Sequence, residues 1–334
     1  MKSKYLDGAK CACIATLLSF GLSQTASAAG LTLTAAGIAD GFSVSTFATL
    51  VPGNTGCCNG PFGLAISANG NVIVNVGGTA TRYAFADVDG QTIGSALNSV
   101  ASASFVTAYA SAGGQAYGSN GSNFVQFNND GTVNHVLTGI TVSPNLGMWG
   151  NPVNGHIIAT SGVGLIDIDP LAAGGLGTFR VINGQGGDGV SVSPDGTVAY
   201  LEQGNINGYN ISTGLLTASY AVGCSGPDGT GVIQSSNSLN GQIVVNCNDG
   251  EVGLINPLTS SFTVIATQAT RGDYVAPDVT NGTLLLDFAD TVERLSCGAN
   301  CGIGSAPSAP EPSTLGMFGL GFGALALLRR RAGA

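Results

Sequence analysis

The sequence predicts an all-β protein, a six-bladed β-propeller whose last blade is closed by an N-terminal strand, followed by a C-terminal apolar helix. Three observations support this prediction. Turn motifs recur about every 42 residues, a second series of turns lies half a period away, and the strands left over at the two ends complement each other. Four strands in a repeat of this length are typical of a propeller blade.

The first series of turns follows the first strand of each repeat. Its members are Asn69-Gly70, Gly113-Gly114, Asn154-Gly155, Asp195-Gly196, Asn240-Gly241 and Asn281-Gly282. Successive turn glycines are 44, 41, 41, 45 and 41 residues apart. Asn-Gly and Asp-Gly favour type I′ turns, in which both central residues have positive φ. We therefore predict six tight hairpins between short β-rich runs.

The second series lies about 20 residues out of phase with the first. Its members are Asp89-Gly90, Asp130-Gly131, Gly174-Gly175, Thr213-Gly214 and Thr259-Ser260. Two hairpins per repeat give four strands per unit, and six units fill residues 43–296.

The two ends of the repeat array predict how the ring closes. After the strand predicted at 291–296 the chain offers no fourth strand, whereas a spare strand, 42–50, precedes the first unit. We infer that the N-terminal strand completes the last blade and covers an edge that would otherwise invite aggregation. An open solenoid or a β-sandwich is the alternative.

The N-terminus has the features of a secretory signal peptide. Lys2, Lys4 and Lys10 precede an apolar stretch at 11–22, and small residues at 26–28 offer a cleavage site. Residues 29–309 then contain four arginines, no lysine and 17 carboxylates, which give a net charge of −13. Nucleic acid is excluded as a partner, because phosphate binding needs clustered Lys and Arg.

Three carboxylates occupy equivalent positions near the starts of the innermost strands. They are Asp188, Asp228 and Asp273. Because these strand starts surround one mouth of a propeller's channel, we expect the carboxylates to converge on a common axis. Hard oxygen ligands suit Ca²⁺ or Mg²⁺. In the alternative interpretation each Asp caps a turn or accepts hydrogen bonds from nearby backbone N–H groups.

Two stretches of sequence carry a resemblance to known propellers. Residues 187–200, GDGVSVSPDGTVAY, and residues 61–71, PFGLAISANGN, resemble blades of the YVTN, NHL and lactonase-type propellers. Lactonase-type propellers hold a metal with a Glu, Asn and Asp set, which has no one-for-one match in this chain. Virginiamycin B lyase-type propellers use a histidine, but His135 and His156 are predicted to lie far from the rim. We therefore assign no catalytic residue.

The six cysteines of the mature chain are expected to form disulfides, since the count is even and an exported protein meets an oxidising compartment. Cys224 and Cys247 are predicted on one rim of unit five, so we pair them. Cys297 and Cys301 follow the last strand and most simply pair with each other. The pairing of Cys57 and Cys58 is left open. They form a vicinal disulfide with each other, or one of them bonds to Cys297 or Cys301. The predicted strand directions disfavour the second pairing, because they place these cysteines on opposite rims.

The C-terminus carries a three-part signal. Pro310-Glu311-Pro312 precedes an apolar run at 315–328, and Arg329, Arg330 and Arg331 follow it. This pattern resembles the PEP-CTERM sorting signal of Gram-negative bacteria that export extracellular polysaccharide. The resemblance implies cleavage near the triplet by an exosortase-like protease and delivery to the cell surface or matrix. The arginines act as a membrane stop, and the run is short for a permanent span of about 20 residues. A plain C-terminal membrane tail is the alternative.

These observations predict four segments: a signal peptide at 1–28, a propeller at 29–300, a linker at 301–309 and a sorting signal at 310–334. We expect an exported binding or structural module of the cell envelope or matrix, linked to exopolysaccharide or biofilm. The alternative is a metal-assisted lactonase or lyase with its site at the channel rim. In a third interpretation the domain only shields or spaces other components.

Overall fold

The computed structural model describes residues 30–103 and 107–298. Within these ranges the strands form six sheets arranged as the blades of a propeller, so the predicted fold class is confirmed. The inner strands of neighbouring blades contact one another around the ring, including those of blades 6 and 1.

The first three blades each contain four antiparallel strands, which follow one another from the channel to the outer surface. Blade 1 comprises Pro61–Ile66, Val72–Val76, Thr81–Phe85 and Asn98–Ala101. Blade 2 comprises Tyr109–Ala112, Gln115–Asn120, Asn123–Phe127 and Val133–Val136. Blade 3 comprises Pro144–Gly150, Ile157–Ser161, Gly164–Asp169 and Thr178–Asn183.

The last two blades carry additional strands on their outer sides, whereas blade 4 has four strands like the first three. Blade 4 comprises Val190–Val192, Val198–Glu202, Ile206–Asn210 and Leu216–Tyr220. Blade 5 comprises Pro227–Val232, Ile243–Cys247, Val252–Asn256, Ser261–Thr267 and the short strand Thr32–Leu33. Blade 6 comprises Gly272–Asp278, Thr283–Phe288, Thr291–Ser296, Ser43–Thr49 and Gln91–Thr92.

Helical structure in the described residues is confined to short segments. These are the α-helices Ala35–Ala39 and Ala172–Gly175 and the 3-10 helices Gly77–Thr79 and Ile93–Ser95. None of the helices in this part of the chain has the length and apolar character to cross a membrane. The predicted signal peptide, linker, sorting motif and apolar C-terminal helix lie outside the described residues.

The N-terminal strand closes the ring, as predicted. Ser43–Thr49 pairs antiparallel with Thr291–Ser296 in blade 6, and the Phe47 side chain is fully buried. A second device reinforces this closure: Gln91–Thr92, from a loop of blade 1, pairs in parallel with the outer side of the closing strand. The two ends of the ring are thus joined by backbone hydrogen bonds from both directions.

The turn glycines adopt the predicted positive φ, but the type I′ prediction holds only at Gly113-Gly114, where φ is 55° and 74°. In the other five turns of the first series only the glycine has positive φ. The preceding Asn or Asp instead caps the turn with its side chain, as when the Thr197 N–H donates to Asp195 Oδ1 at 3.1 Å. These turns are longer than two residues, so a single left-handed residue at their end suffices to reverse the chain.

Candidate functional site

The structure places the three predicted carboxylates at one mouth of the central channel, although within the described residues their oxygens do not all lie within 4.8 Å of one another. Asp188 lies just before the blade 4 inner strand, while Asp228 and Asp273 lie near the starts of the inner strands of blades 5 and 6. We call this region the acidic mouth and define it by Asp188, Glu202, Asp228, Arg271, Asp273 and Asp287.

A glycine after the rim position allows this close assembly. A β-carbon at Gly147 would lie 2.2 Å from the backbone oxygen of Asp188. At Gly189 it would lie 2.5 Å from the oxygen of Asp228, and at Gly229 it would lie 2.2 Å from that of Asp273. Any larger residue would push the next blade away, so these glycines set the spacing between the rim carboxylates.

Arg271 forms the centre of the acidic mouth. Its Nη2 donates to Asp228 Oδ2 at 2.7 Å, and its Nη1 donates to Asp273 Oδ1. One guanidinium therefore forms ion pairs with two largely buried carboxyls.

Burial raises the pKa values of the three rim carboxyls. It raises the pKa of Asp228, and the neighbouring Asp273 raises it further against the opposing effect of Arg271. Burial also raises the pKa of Asp273 despite its ion pair with Arg271. The pKa of Asp188 is raised by burial and only partly restored by Arg271. With a single guanidinium beside these buried carboxyls, their protonated forms are favoured relative to a carboxyl in water.

Sequence reasoning missed three members of the cluster. Glu202 ends the second strand of blade 4, and burial raises its pKa to about 7 against a hydrogen bond from the Gly204 N–H. Asp287 is fully buried and accepts hydrogen bonds from the N–H groups of Tyr274 and Gly63. Of these three residues, Arg271 could have been found from the sequence. It is one of only four arginines between residues 29 and 309, and it lies two residues from Asp273.

The arrangement offers two kinds of chemistry. Asp228 and Asp273 bond to Arg271, and Asp188 and Glu202 have no ion pair in the described structure. A divalent cation could displace protons from these carboxyls and bind their oxygens, which are ligands that Ca²⁺ and Mg²⁺ prefer. A carboxyl whose pKa lies near 7, such as Glu202, could also donate or accept a proton.

The two histidines lie away from the acidic mouth, His156 in contacts within blade 3 and His135 in a contact between blades. His156 Nδ1 is 2.8 Å from Asp167 Oδ1, and Asp167 Oδ2 accepts from Arg180 Nη2 at 2.7 Å. Arg180 Nη1 also donates to the Ile211 carbonyl of blade 4 at 3.0 Å. His135 Nε2 lies 2.9 Å from the Gly175 carbonyl and links blades 2 and 3. These contacts hold the blades together.

Two disulfides lie within the described residues. Cys224 is bonded to Cys247, the pairing that the strand order predicts, and Cys57 is bonded to its neighbour Cys58. Cys297 is also disulfide-bonded, while the predicted partner Cys301 lies outside the described residues. Asp249 lies near Cys224 and Cys247, but their sulfur atoms are bonded to each other and cannot act as thiolate ligands.

Comparison with known families identifies the C-terminus. The model of the PEP-CTERM protein-sorting motif matches residues 308–331. This motif implies export to the bacterial cell envelope or surface, with membrane anchoring before processing by an exosortase. No curated protein matches the chain.

Comparison with solved structures supports the fold. A gluconolactonase from Xanthomonas campestris aligns with a TM-score of 0.60 at 14% identity, over 79% of this chain and 94% of that chain. A luciferin-regenerating enzyme aligns with a TM-score of 0.55 at 12% identity, over 80% of this chain and 99% of that chain.

At these identities the likeness concerns the fold alone. The chain is thus an exported six-bladed β-propeller that carries a PEP-CTERM sorting motif at its C-terminus.

Proposed function

We propose that this protein is a cation-dependent binding module at the surface or in the matrix of a Gram-negative bacterium. Its acidic mouth would hold one Ca²⁺ or Mg²⁺, through which the propeller binds hydroxyl or carboxylate groups of extracellular polysaccharide. The observation that carries this proposal is the buried pair Asp228 and Asp273, both bonded to Arg271 and close to Asp188, with one arginine for the whole cluster.

The charge balance favours a cation at this mouth. Arg271 compensates part of the Asp228–Asp273 pair, while the described structure gives Asp188 and Glu202 no ion pair of their own. Bringing a divalent ion to this edge would allow the retained protons to leave. Binding should therefore release protons and tighten as the pH rises.

The sorting motif supports a role outside the cytoplasm. In a bacterium that exports polysaccharide, a propeller delivered to the envelope would meet that polymer outside the cell. A cation can bridge protein carboxylates to polymer hydroxyls, which allows residues 29–309, with their net charge of −13, to bind an acidic polymer.

Calorimetric titration of the purified exported protein with CaCl₂ or MgCl₂ tests the cation site. We expect about one ion per chain, proton release near pH 7, and at least tenfold weaker binding in Asp188→Asn. Asp40→Asn is the control, because Asp40 is exposed at the end of the Ala35–Ala39 helix. Unchanged affinity in Asp188→Asn, or no binding at all, would refute the proposal.

Polymer retention tests the module itself. Polysaccharide from a producing strain should retain the wild-type protein in the presence of Ca²⁺ and release it on addition of a chelator. If neither the chelator nor Asp188→Asn reduces retention, the polymer binds elsewhere on the protein and the proposal is wrong.

Glu202 favours a second candidate function, metal-assisted lactone hydrolysis or lyase chemistry. A carboxyl with a pKa of about 7 beside a cation site can act as a general acid or base. A lactone and lyase screen should then reveal turnover that Glu202→Gln abolishes while cation binding persists. Absence of turnover across the screen would leave the binding module as the function.

A further inference from the structure

A cavity of about 440 Å³ lies at the opposite mouth of the channel, where the inner strands end. Its walls come from four blades and include Ser111, Trp149, Gln234 and Pro277. Its volume falls within the range of about 300–1,000 Å³ that is usual for small-molecule sites. We call this region the neutral mouth, since none of the described residues that line it carries a charge.

Tyr274 separates the neutral mouth from the acidic mouth. It takes the place that glycine occupies after the rim position of blades 1, 3, 4 and 5. Its hydroxyl donates to the Met148 carbonyl of blade 3 at 2.6 Å and contacts the Tyr109 carbonyl of blade 2. The phenol therefore reaches from blade 6 to the far side of the ring, and a ligand in one mouth does not touch the groups of the other.

Gln234 offers the cavity a side-chain amide that is free to form hydrogen bonds. Its side chain is buried, with an exposed fraction of 7%, and its amide has no hydrogen-bond partner within the described part of the chain. The other buried polar side chains are occupied. Ser111 Oγ accepts from the Ile66 N–H at 2.7 Å, and Asn151 donates to the Gly196 carbonyl and accepts from the Val153 N–H. The Gln234 amide atoms are not sealed from solvent, so a ligand in the cavity can reach them and bond to them.

We infer that the neutral mouth binds an uncharged, polyhydroxylated ring such as a single sugar residue. The Gln234 amide can both donate to and accept from ring hydroxyls. Val153 and Pro277 provide apolar walls for the C–H faces of such a ring. An anionic ligand is disfavoured by the net charge of the domain, and a cationic ligand would find no carboxylate among the described residues of the cavity.

The single tryptophan makes this inference directly measurable. Trp149 lines the cavity and is the only tryptophan of the chain, so its fluorescence reports on the neutral mouth alone. The probes are glucose, glucuronate and glucosamine, which share a ring and differ in charge. We expect a saturable change of emission with glucose and at least tenfold weaker effects with the two charged sugars. Saturation-transfer NMR of the sugars provides a second readout.

Substitutions distinguish the neutral mouth from the proposed cation site. Gln234→Met keeps the chain length but removes the amide, and should weaken glucose binding at least tenfold. Val153→Arg should block the cavity without affecting folding, because Val153 is 65% exposed. Asp188→Asn and chelator should leave glucose binding unchanged. The inference is overturned if no neutral sugar gives a response in either readout, or if Asp188→Asn abolishes binding while Gln234→Met and Val153→Arg do not.

Discussion

Individual arginines join separate strands of the described propeller. Their burial differs, so we can rank them by the stability that each should contribute. Arg294 donates to Asp87 Oδ1 at 2.6 Å and to Asp89 Oδ1 at 2.8 Å, and it also contacts Asp278. Asp87 and Asp89 belong to the loop of blade 1, whereas Arg294 and Asp278 belong to blade 6. One side chain thus fastens the seam at which the ring closes.

We predict that Arg294→Ala lowers the free energy of unfolding by about 3–5 kcal/mol, because it leaves buried carboxylates without a counter-charge. Asp278 in particular is fully buried. The matched control is Arg180→Ala, whose side chain is 48% exposed and whose loss should cost about 1 kcal/mol or less. Denaturant titration of both variants checks the ranking, and equal losses would contradict it.

At the scale of the blade, the recurring element is the glycine that follows the rim position. In blades 3, 4 and 5 it lets the backbone of the next inner strand approach to a distance that no β-carbon would allow. The same positions bring the rim carboxylates together, so packing and the candidate site depend on one feature of the repeat.

We predict that Gly229→Ala destabilises the propeller by about 2–4 kcal/mol, because its β-carbon would meet the rigid backbone of Asp273 rather than a movable side chain. Gly186→Ala is the control, since a β-carbon there would meet no atom within 4 Å. Thermal unfolding of the two variants is the measurement. A Gly229→Ala protein as stable as the control would show that neighbouring blades are free to separate.

The repeat explains how much of this could be predicted from sequence. The turn glycines predicted six blades, and the uneven count of the two turn series predicted the closing strand, because both follow from backbone geometry. The equivalent positions also predicted that Asp188, Asp228 and Asp273 share a mouth. Arg271 and Asp287 could not be placed in this way, since their roles depend on contacts between blades that no repeat position encodes. The strand Gln91–Thr92 escaped prediction for the same reason.

For the whole molecule, the dominant property is its excess of negative charge. Three of the arginines between residues 29 and 309, namely Arg180, Arg271 and Arg294, are engaged by carboxylates in the described structure. The acidic mouth has more carboxyls than guanidinium groups, and the pKa values of its carboxyls Asp188, Asp228 and Asp273 are raised. Stability, cation binding and pH are therefore linked through one cluster.

This linkage predicts that the protein loses stability as the pH rises through neutrality. The pKa of Glu202 is about 7 in the folded protein and lies above its usual value of about 4.5. At pH values between about 4.5 and about 7, the folded state binds more protons than the unfolded state. The free energy of unfolding therefore falls as the pH rises. The pKa values of Asp188, Asp228 and Asp273 are shifted in the same direction and reinforce the effect.

We expect the free energy of unfolding to fall by about 1–2 kcal/mol between mildly acidic and mildly alkaline buffer, after allowance for solvent screening of the cluster. Glu202→Gln should flatten this dependence, because the amide cannot ionise, whereas Asp40→Asn should retain it. Denaturant titration in the presence of chelator is the measurement, and a stability that rises with pH would contradict the prediction. Adding Ca²⁺ should restore the lost stability at the alkaline end, since an ion that binds only the folded state stabilises it by mass action.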